Sequence, residues 1–404
     1  MAMDASQSAM LFVGAGVNYG GELVDEDIDP NRGKVVSYKV NVSSGWASAP
    51  ELVQEFTPGD GCTCVEWVTL HESGKSLYAF CSYWRFRPIY ASELQAGHII
   101  HYSIDGPRLT QERKLLSGGH QPCHAVCTAD LLAVAHYLDG VVALWHVDPA
   151  DGRLVGDAPQ NLFRLPGEEI EGPRLLGTNT GALAHGVAFS PCGHWLLAVD
   201  AGQGVLQVWN LEARDAAPRA SELLNSKSRP RHCVFSMDAT QIYVVHEAAN
   251  VVTLHSFRAG EVSGALVTSS MLTEGTTGWH CASEIVLLPE LNMLAATMRA
   301  VTVLSPAGKE STVSLFNATT LDRVATLPAG RPVPIGDPRH AVALPSELGG
   351  GLLVGLTYSE QLCHFVTDGD ASMRPAEHEG DVTHVIAPLC LAVLPVLPQT
   401  TGKL

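Results

Sequence analysis

"RHCVFSMDATQIYVVHEAANVVTLHSF", residues 231–257, decides the fold. It holds three apolar runs, "HCVF", "QIYVVH" and "VVTLHSF", divided by the polar turn "SMDAT" and the small-residue turn "EAAN". The runs are short, rich in β-branched and aromatic residues, and bounded by turn formers, which is the signature of an antiparallel strand meander. Nothing in the stretch carries the i, i+3, i+4, i+7 spacing of an amphipathic helix.

The template recurs along the chain. "CVEWVTLHESGKSLYAFCS" spans 64–82, "CHAVCTADLLAVAHYLDGVVALWHVD" spans 123–148 and "HGVAFSPCGHWLLAVDAGQGVLQVWNLEA" spans 185–213. "SEIVLLPELNMLAATMRAVTVLS" spans 283–305, and "RHAVALPSELGGGLLVGLTYSEQLCHFVTD" spans 339–368. "LFVGAGVN" and "GKVVSYKVN" near the N-terminus supply a further partial copy. Copies begin roughly 45–60 residues apart, the period of propeller blades. The expectation is an all-β, seven-bladed β-propeller of four-stranded antiparallel blades. Residues 1–404 then form one propeller domain, with N- and C-terminal strands closing one blade. The segment "LPAGRPVPIGDPRH" at 327–340 reads as an inter-blade connection and "GELVDEDID" at 21–29 as a solvated loop.

Composition narrows the functional classes. The 404 residues are 46% hydrophobic and 17% charged, enough for a large core rather than disorder. A formal net charge of −17 speaks against nucleic acid and anionic membrane surfaces as partners, though not against a small anionic ligand in a locally basic pocket. "MAMDASQSAMLFVGAG" lacks the basic start and long apolar run of a secretory signal, and no stretch reaches the length of a membrane-spanning helix. The ten cysteines lack zinc-site spacing and read as thiols of a reduced, cytoplasmic protein. No metal or other cofactor is expected, and no protein partner is identified.

The hairpin register points to a site. With the "SMDAT" turn centred near Ala239, Arg231 and Glu247 should face each other at the open end of the first two strands. By the same logic His185 falls near Val199 and Asp200, and Cys281 falls near Arg299 with His280 beside it. Arg339 and His340 stand where Arg231 and His232 stand, and His124, His136 and His246 join the same edge. Polar side chains converging from several blades make a concave ligand site at the channel mouth. Trp84 and Tyr137 read as packing in that mouth, and the tryptophans of "VALWHVD" and "LQVWNLE" as inter-blade packing.

The phrases "HGVAFSPCGHWLLAVD", "RPRHCVFSMDATQIYVVHEAANVV" and "SEIVLLPELNMLAATMRA" resemble blades of the seven-bladed lactonase propellers. That family includes fungal carboxy-cis,cis-muconate cyclase and bacterial propeller-type 6-phosphogluconolactonase, and the "HEAANVV" context resembles the cyclase more. The resemblance implies a metal-free lactone-handling enzyme with a small anionic lactone or carboxylate as substrate. It implies His185 and Glu247 as catalytic residues and Arg231 and Arg299 as the anion clamp, with Arg339 and His280 as further substrate-binding candidates. Guanidinium forks suit carboxylate or phosphate, and imidazole suits acid/base work near neutral pH. Glu247 either orients an arginine or handles the proton itself. The insert "SPAGKESTVSLF" after Arg299 and the turn "DAGQG" depart from the family pattern. Three readings stand: a cycloisomerase acting on a carboxylated diene acid and its lactone, a 6-phosphogluconolactonase, and a non-catalytic propeller that binds proteins through its faces.

Overall fold

Strands buried on both faces need a neighbour on each side, and a ring of radial sheets supplies one to every blade. The computed structural model describes residues 8–16, 33–42, 50–83, 96–166, 181–213, 218–300, 311–329, 338–357, 360–367, 373–375 and 388–396. Trp84, the acidic run at 21–29, the first half of the insert after Arg299 and the middle of the 327–340 connection lie outside the described residues.

Seven antiparallel sheets are present, each following a four-strand path. Blade 1 runs from Pro388–Val396 outward through Ser8–Ala15, Lys34–Asn41 and Glu51–Phe56, so a C-terminal strand pairs with an N-terminal one. Blade 2 comprises Cys64–Leu70, Ser76–Ser82, His98–Asp105 and Arg108–Leu116. Blade 3 begins with Pro122–Cys127, blade 4 with Ala184–Phe189, blade 5 with Pro230–Phe235, blade 6 with His280–Leu288 and blade 7 with His340–Ala343. Blades 3 and 5 split their outermost strand into two pieces. Each innermost strand neighbours the next, and blade 7 meets blade 1, which closes the circle. The architecture is the expected seven-bladed, all-β propeller. Among the described residues no helix is long and apolar enough to cross a membrane.

The core is distributed between the blades. An apolar cluster fills each adjacent pair, and period-two alternation assigns each residue to one side. In blade 5, Ile242 and Val244 pack with Leu197 and Val199 of blade 4, whereas Tyr243 and Val245 pack with Leu294 and Ala296 of blade 6. Trp145 lies in the cluster between blades 2 and 3, and Trp209 in that between blades 3 and 4. All ten cysteines are free thiols.

The innermost strands depart from regular pairing in a repeated way. The ladder between first and second strands shifts at Val65/Trp67, Pro122/His124, Ala184/Gly186, Pro230/His232 and Ala282/Ile285. Each shift is a β-bulge that frees a residue from the ladder and re-aims it. The residues so freed are Glu66, Cys123, His185, Arg231 and the pair Ser283–Glu284.

Close approach of two innermost strands fixes one glycine. A Cβ on Gly186 would lie 2.6 Å from the Arg231 carbonyl oxygen and 3.0 Å from the His232 Cα. Both are backbone atoms that cannot swing aside. Gly186→Ala is therefore expected to destabilise the protein by about 1–3 kcal/mol, read as a lower urea midpoint at unchanged slope. A wild-type midpoint would mean that blades 4 and 5 part freely at the axis.

Candidate active site

The bulges decide which side chains meet. Pro230 pairs with His246 and His232 with Val245, leaving Arg231 as the extra residue. The expected Arg231–Glu247 cross-strand pair is therefore corrected. The Glu247 N–H donates to the Arg229 carbonyl at 2.7 Å, so Arg229 stands opposite Glu247, with a left-handed backbone at φ 50°. A ladder centred on Ala239 lies one residue off the observed one, in which His232 faces Val245, and the bulge at Arg231 adds a second residue. Elsewhere Ala184 pairs with Asp200 and Gly186 with Val199, so His185 projects between them, and Cys281 pairs with Arg299.

Two layers of side chains result. The upper layer contains Arg229, Arg231, Arg299, Arg339, Glu247, Glu66, His185 and Tyr137. The Arg299 Nη2 donates to Glu247 Oε1, and the Arg229 Nε lies 4.0 Å from Glu247 Oε2. Arg229 also donates to the Tyr137 hydroxyl, whose ring meets His185 edge-on at 5.3 Å. Arg339 Nη2 donates to Glu66 Oε2 at 2.5 Å, linking blade 7 to blade 2. Arg231 Nη1 donates to the Ser283 carbonyl at 2.6 Å, while its Nε, the Arg299 Nε and the His185 Nδ1 are buried with no hydrogen-bond partner among the described residues. The side chains of Arg299, Glu247, Arg339 and Arg229 keep 16, 19, 20 and 26% exposure, which marks the open side of the layer.

The lower layer is a floor of rings. Trp67 lies 4.3 Å from His124 and 4.5 Å from His340, and His232 lies 4.4 Å from His124 and 5.1 Å from His185, all between ring centroids. His232 Nδ1 bonds to Glu284 Oε1 at 2.8 Å, and Glu284 Oε2 is 3.6 Å from His340 Nε2. The Trp67 indole donates to the Ala125 carbonyl at 2.8 Å. His124 Nδ1 accepts the Val187 N–H, and His340 Nδ1 accepts the Leu391 N–H, each at 3.2 Å.

Burial sets the charge states. It pushes His124, His185 and His232 well below the ordinary imidazole range, with like charge from Arg231 and neighbouring imidazoles adding to the effect, and it takes His340 down to about 4. Burial, with the nearby Arg299, lowers Arg231 to about 10. Burial would raise the Glu247 carboxyl, but Arg299, Arg231 and Arg229 together hold it below its ordinary value. At neutral pH the site thus presents cationic guanidiniums, neutral imidazoles and an ionised Glu247. Four guanidiniums face Glu66, Glu247 and Glu284, so the local charge is positive in an acidic protein, and the mouth is suited to a small anion.

Several sequence candidates lie elsewhere in the arrangement. His280 sits on the face opposite Cys281, and its Nδ1 bonds back to the Gly278 carbonyl at 3.3 Å; strand alternation keeps it out of the cluster. His136 bonds to Ser117 Oγ and the Val141 carbonyl, and His246 to Ser228 and Thr253, so both are buried blade-stitching groups rather than mouth residues. Asp200 accepts N–H groups from Leu183, Gly202 and Gln203 and does not orient His185. Sequence reasoning missed Glu66, Glu284 and Trp67. A carboxylate inside the apolar runs "CVEWVTL" and "SEIVLL" was the available signal.

Comparison with known proteins follows this geometry. The family model for "Lactonase, 7-bladed beta-propeller" matches residues 30–373. Among solved structures, a candidate 6-phosphogluconolactonase of Bacteroides fragilis is similar at 18% identity and TM-score 0.72, covering 96% of this chain and 99% of that one. The Pseudomonas aeruginosa periplasmic gluconolactonase is similar at 18% identity and TM-score 0.69, with the same coverage. These likenesses are of fold. No curated protein sequence matches the chain.

The neutral imidazoles make a measurable demand on folding. In the unfolded chain each would protonate near pH 6.5, whereas the folded site keeps it neutral to lower pH. The unfolded state then binds more protons, so this stability is fully present above about pH 6.5 and is lost as pH falls toward 4. Each such histidine contributes about 1.4 kcal/mol per pH unit in that window. Urea midpoints taken from pH 7 to pH 5 are expected to fall by more than one proton's worth. A flat profile would show that these imidazoles take up protons in the folded site as readily as in the unfolded chain.

Proposed function

We propose that this chain, which belongs to the seven-bladed β-propeller lactonase family, is an enzyme that interconverts a small carboxylated lactone and its open-chain unsaturated acid. The observation that carries the reading is the convergence of Arg231 and Arg299, each with a buried unpartnered Nε, on the same layer as a neutral His185. A bound carboxylate would supply acceptors for those donors.

In the ring-opening direction His185 removes a proton from the carbon beside the held carboxylate. The electron pair forms a carbon–carbon double bond, the ring carbon–oxygen bond breaks, and the ring oxygen leaves as a carboxylate. Negative charge develops on the held carboxylate, where fixed guanidiniums stabilise it without reorganisation. In the reverse direction the free carboxylate adds to the double bond and protonated His185 returns the proton. The isomerisation consumes no oxidant or co-reactant. Glu247, ionised and bonded to Arg299, serves as a positioning residue that fixes the clamp's fork.

A second reading is hydrolysis of a phosphorylated sugar lactone. Its support is Arg229, a third guanidinium at the mouth, together with the likeness in fold to the Bacteroides fragilis candidate 6-phosphogluconolactonase. Arg339, the natural extra phosphate ligand, is occupied by Glu66, which favours the carboxylate reading.

The test is a pair of progress assays, one with a carboxylated muconolactone and one with 6-phosphogluconolactone. Turnover of the first is expected, with His185→Asn lowering kcat about 10²–10⁴-fold at unchanged melting temperature, and Arg231→Gln lowering kcat/KM about 10²–10³-fold together with a lower melting temperature, because the buried bond to the Ser283 carbonyl is lost. Turnover of the phosphorylated lactone alone would transfer the assignment to the second reading. No turnover of either would leave a propeller that serves through its faces.

A further inference from the structure

His232 and Glu284 take no part in the chemistry above, yet the His232 ring packs against His185 and Glu284 is bonded to His232. Glu284 is the carboxylate in the ring stack. Its Oε1 accepts from His232 Nδ1 at 2.8 Å and also from the Ile285 N–H at 3.0 Å, and both side chains are at least nine-tenths buried. A proton on His232 Nδ1 leaves the lone pair on Nε2. That Nε2 is buried and has no partner among the described residues, and the same holds for His185 Nδ1. The two rings pack edge-to-face with centroids 5.1 Å apart. The two nitrogens sit on adjacent rings without being bonded to each other, one able to accept and the other able to donate, and Arg231 Nη1 lies 3.4 Å from His232 Nδ1 on the side that faces Glu284.

We propose that Glu284 and His232 form a bracing dyad for His185, in which His232 Nε2 accepts the Nδ1–H of His185 while His185 takes up the substrate's proton at Nε2. The inference rests on the role given to His185 above. The proton balance is local. One proton moves from the substrate carbon to His185 Nε2, the Nδ1–H of each ring stays where it is, and Glu284 keeps its negative charge. The positive charge formed on His185 is compensated through His232 by the carboxylate.

The surroundings make such compensation necessary. Arg231 lies beside His232 on its own strand, Arg299 faces it from blade 6, and Arg339 and His340 face it from blade 7. His124 of blade 3 and His185 of blade 4 complete the ring of neighbours. All of these are cationic or could become so, and a proton arriving among them is opposed unless a carboxylate answers it. Glu284, in contact with both His232 and His340, is placed to do that.

Glu284→Gln keeps an oxygen for the His232 Nδ1–H and removes only the charge. It is expected to lower kcat on the lactone about 10²-fold, to leave KM nearly unchanged, and to move the acid limb of the kcat profile to lower pH. Unchanged kcat and pH profile, with only a lower melting temperature, would reduce Glu284 to a structural group and overturn the proposal. Nitrogen-15 NMR of the histidine rings in the native protein gives a reading that needs no variant and no turnover. At pH 7 His232 is expected to carry its proton on Nδ1 with Nε2 bare, and the opposite tautomer would overturn the dyad. A correct tautomer in a protein that turns over no lactone would count against the proposed function and leave the dyad standing.

Discussion

Seven innermost strands have to meet around one axis, and the molecule meets that constraint by breaking the ladder at an equivalent point in one blade after another. A bulge leaves backbone carbonyls without a strand partner, and an unsatisfied buried carbonyl costs about 1–3 kcal/mol. Here carbonyls at the inner ends of these strands, bulged or not, are taken up by side chains from the neighbouring blade. Arg231 Nη1 donates to the Ser283 carbonyl, Ser283 Oγ to the Arg339 carbonyl, and Cys123 Sγ to the His185 carbonyl. Cys390 Sγ reaches the Val65 carbonyl between blades 1 and 2. The residues that line the site are therefore the same residues that join blades at the axis. Site and closure share one set of atoms, which ties the position of each arginine to the integrity of the ring.

The electrostatics follow from that geometry. Ion pairs away from the axis, such as Arg153 with Asp151, are exposed and contribute little. The Arg339–Glu66 pair differs, because the Glu66 side chain has no solvent exposure and its partner comes from blade 7, across the blade that joins strands from both ends of the chain. Desolvating such a pair offsets much of its attraction, so its value lies in registry: only one rotation of blade 7 against blade 2 brings the two together. The surviving local excess of guanidinium then gives an anion a reason to enter a protein whose overall charge would repel it.

Much of this was legible in the chain. Repetition of a three-run template gave the blade count, because a period of two and regular turn punctuation survive sequence drift. Arg231, Arg299, Glu247 and His185 stood out because each is a polar residue at the open end of an apolar hairpin, and the fold brings them into one layer. The partners were not legible. Glu247 was assigned to Arg231 and belongs to Arg299 and Arg229, since the turn sets the ladder one residue away from a centre at Ala239 and the bulge at Arg231 shifts it by one more. His280 was placed at the mouth, and strand alternation turns it away. Glu66 and Glu284 were passed over because a carboxylate at a strand start reads as solvent-facing until a bulge is known to turn it inward.

The bulges also explain why the site is built from adjacent pairs of residues. In a regular strand, neighbours in sequence point to opposite faces. A bulge resets that alternation at the axis, so one residue joins the upper layer and the next joins the floor. Glu66 and Trp67, and Arg231 and His232, divide in this way, and Arg339 and His340 divide likewise at a strand start without a bulge. The fourth blade pairs His185 with Gly186, and its floor position carries no side chain. The His232 ring occupies the volume that a side chain on Gly186 would need, with its Cδ2 3.3 Å from the Cβ such a residue would have. That missing side chain is what allows the imidazoles of His185 and His232 to pack at 5.1 Å. A glycine with an ordinary backbone conformation thereby sets the contact between the two imidazole rings.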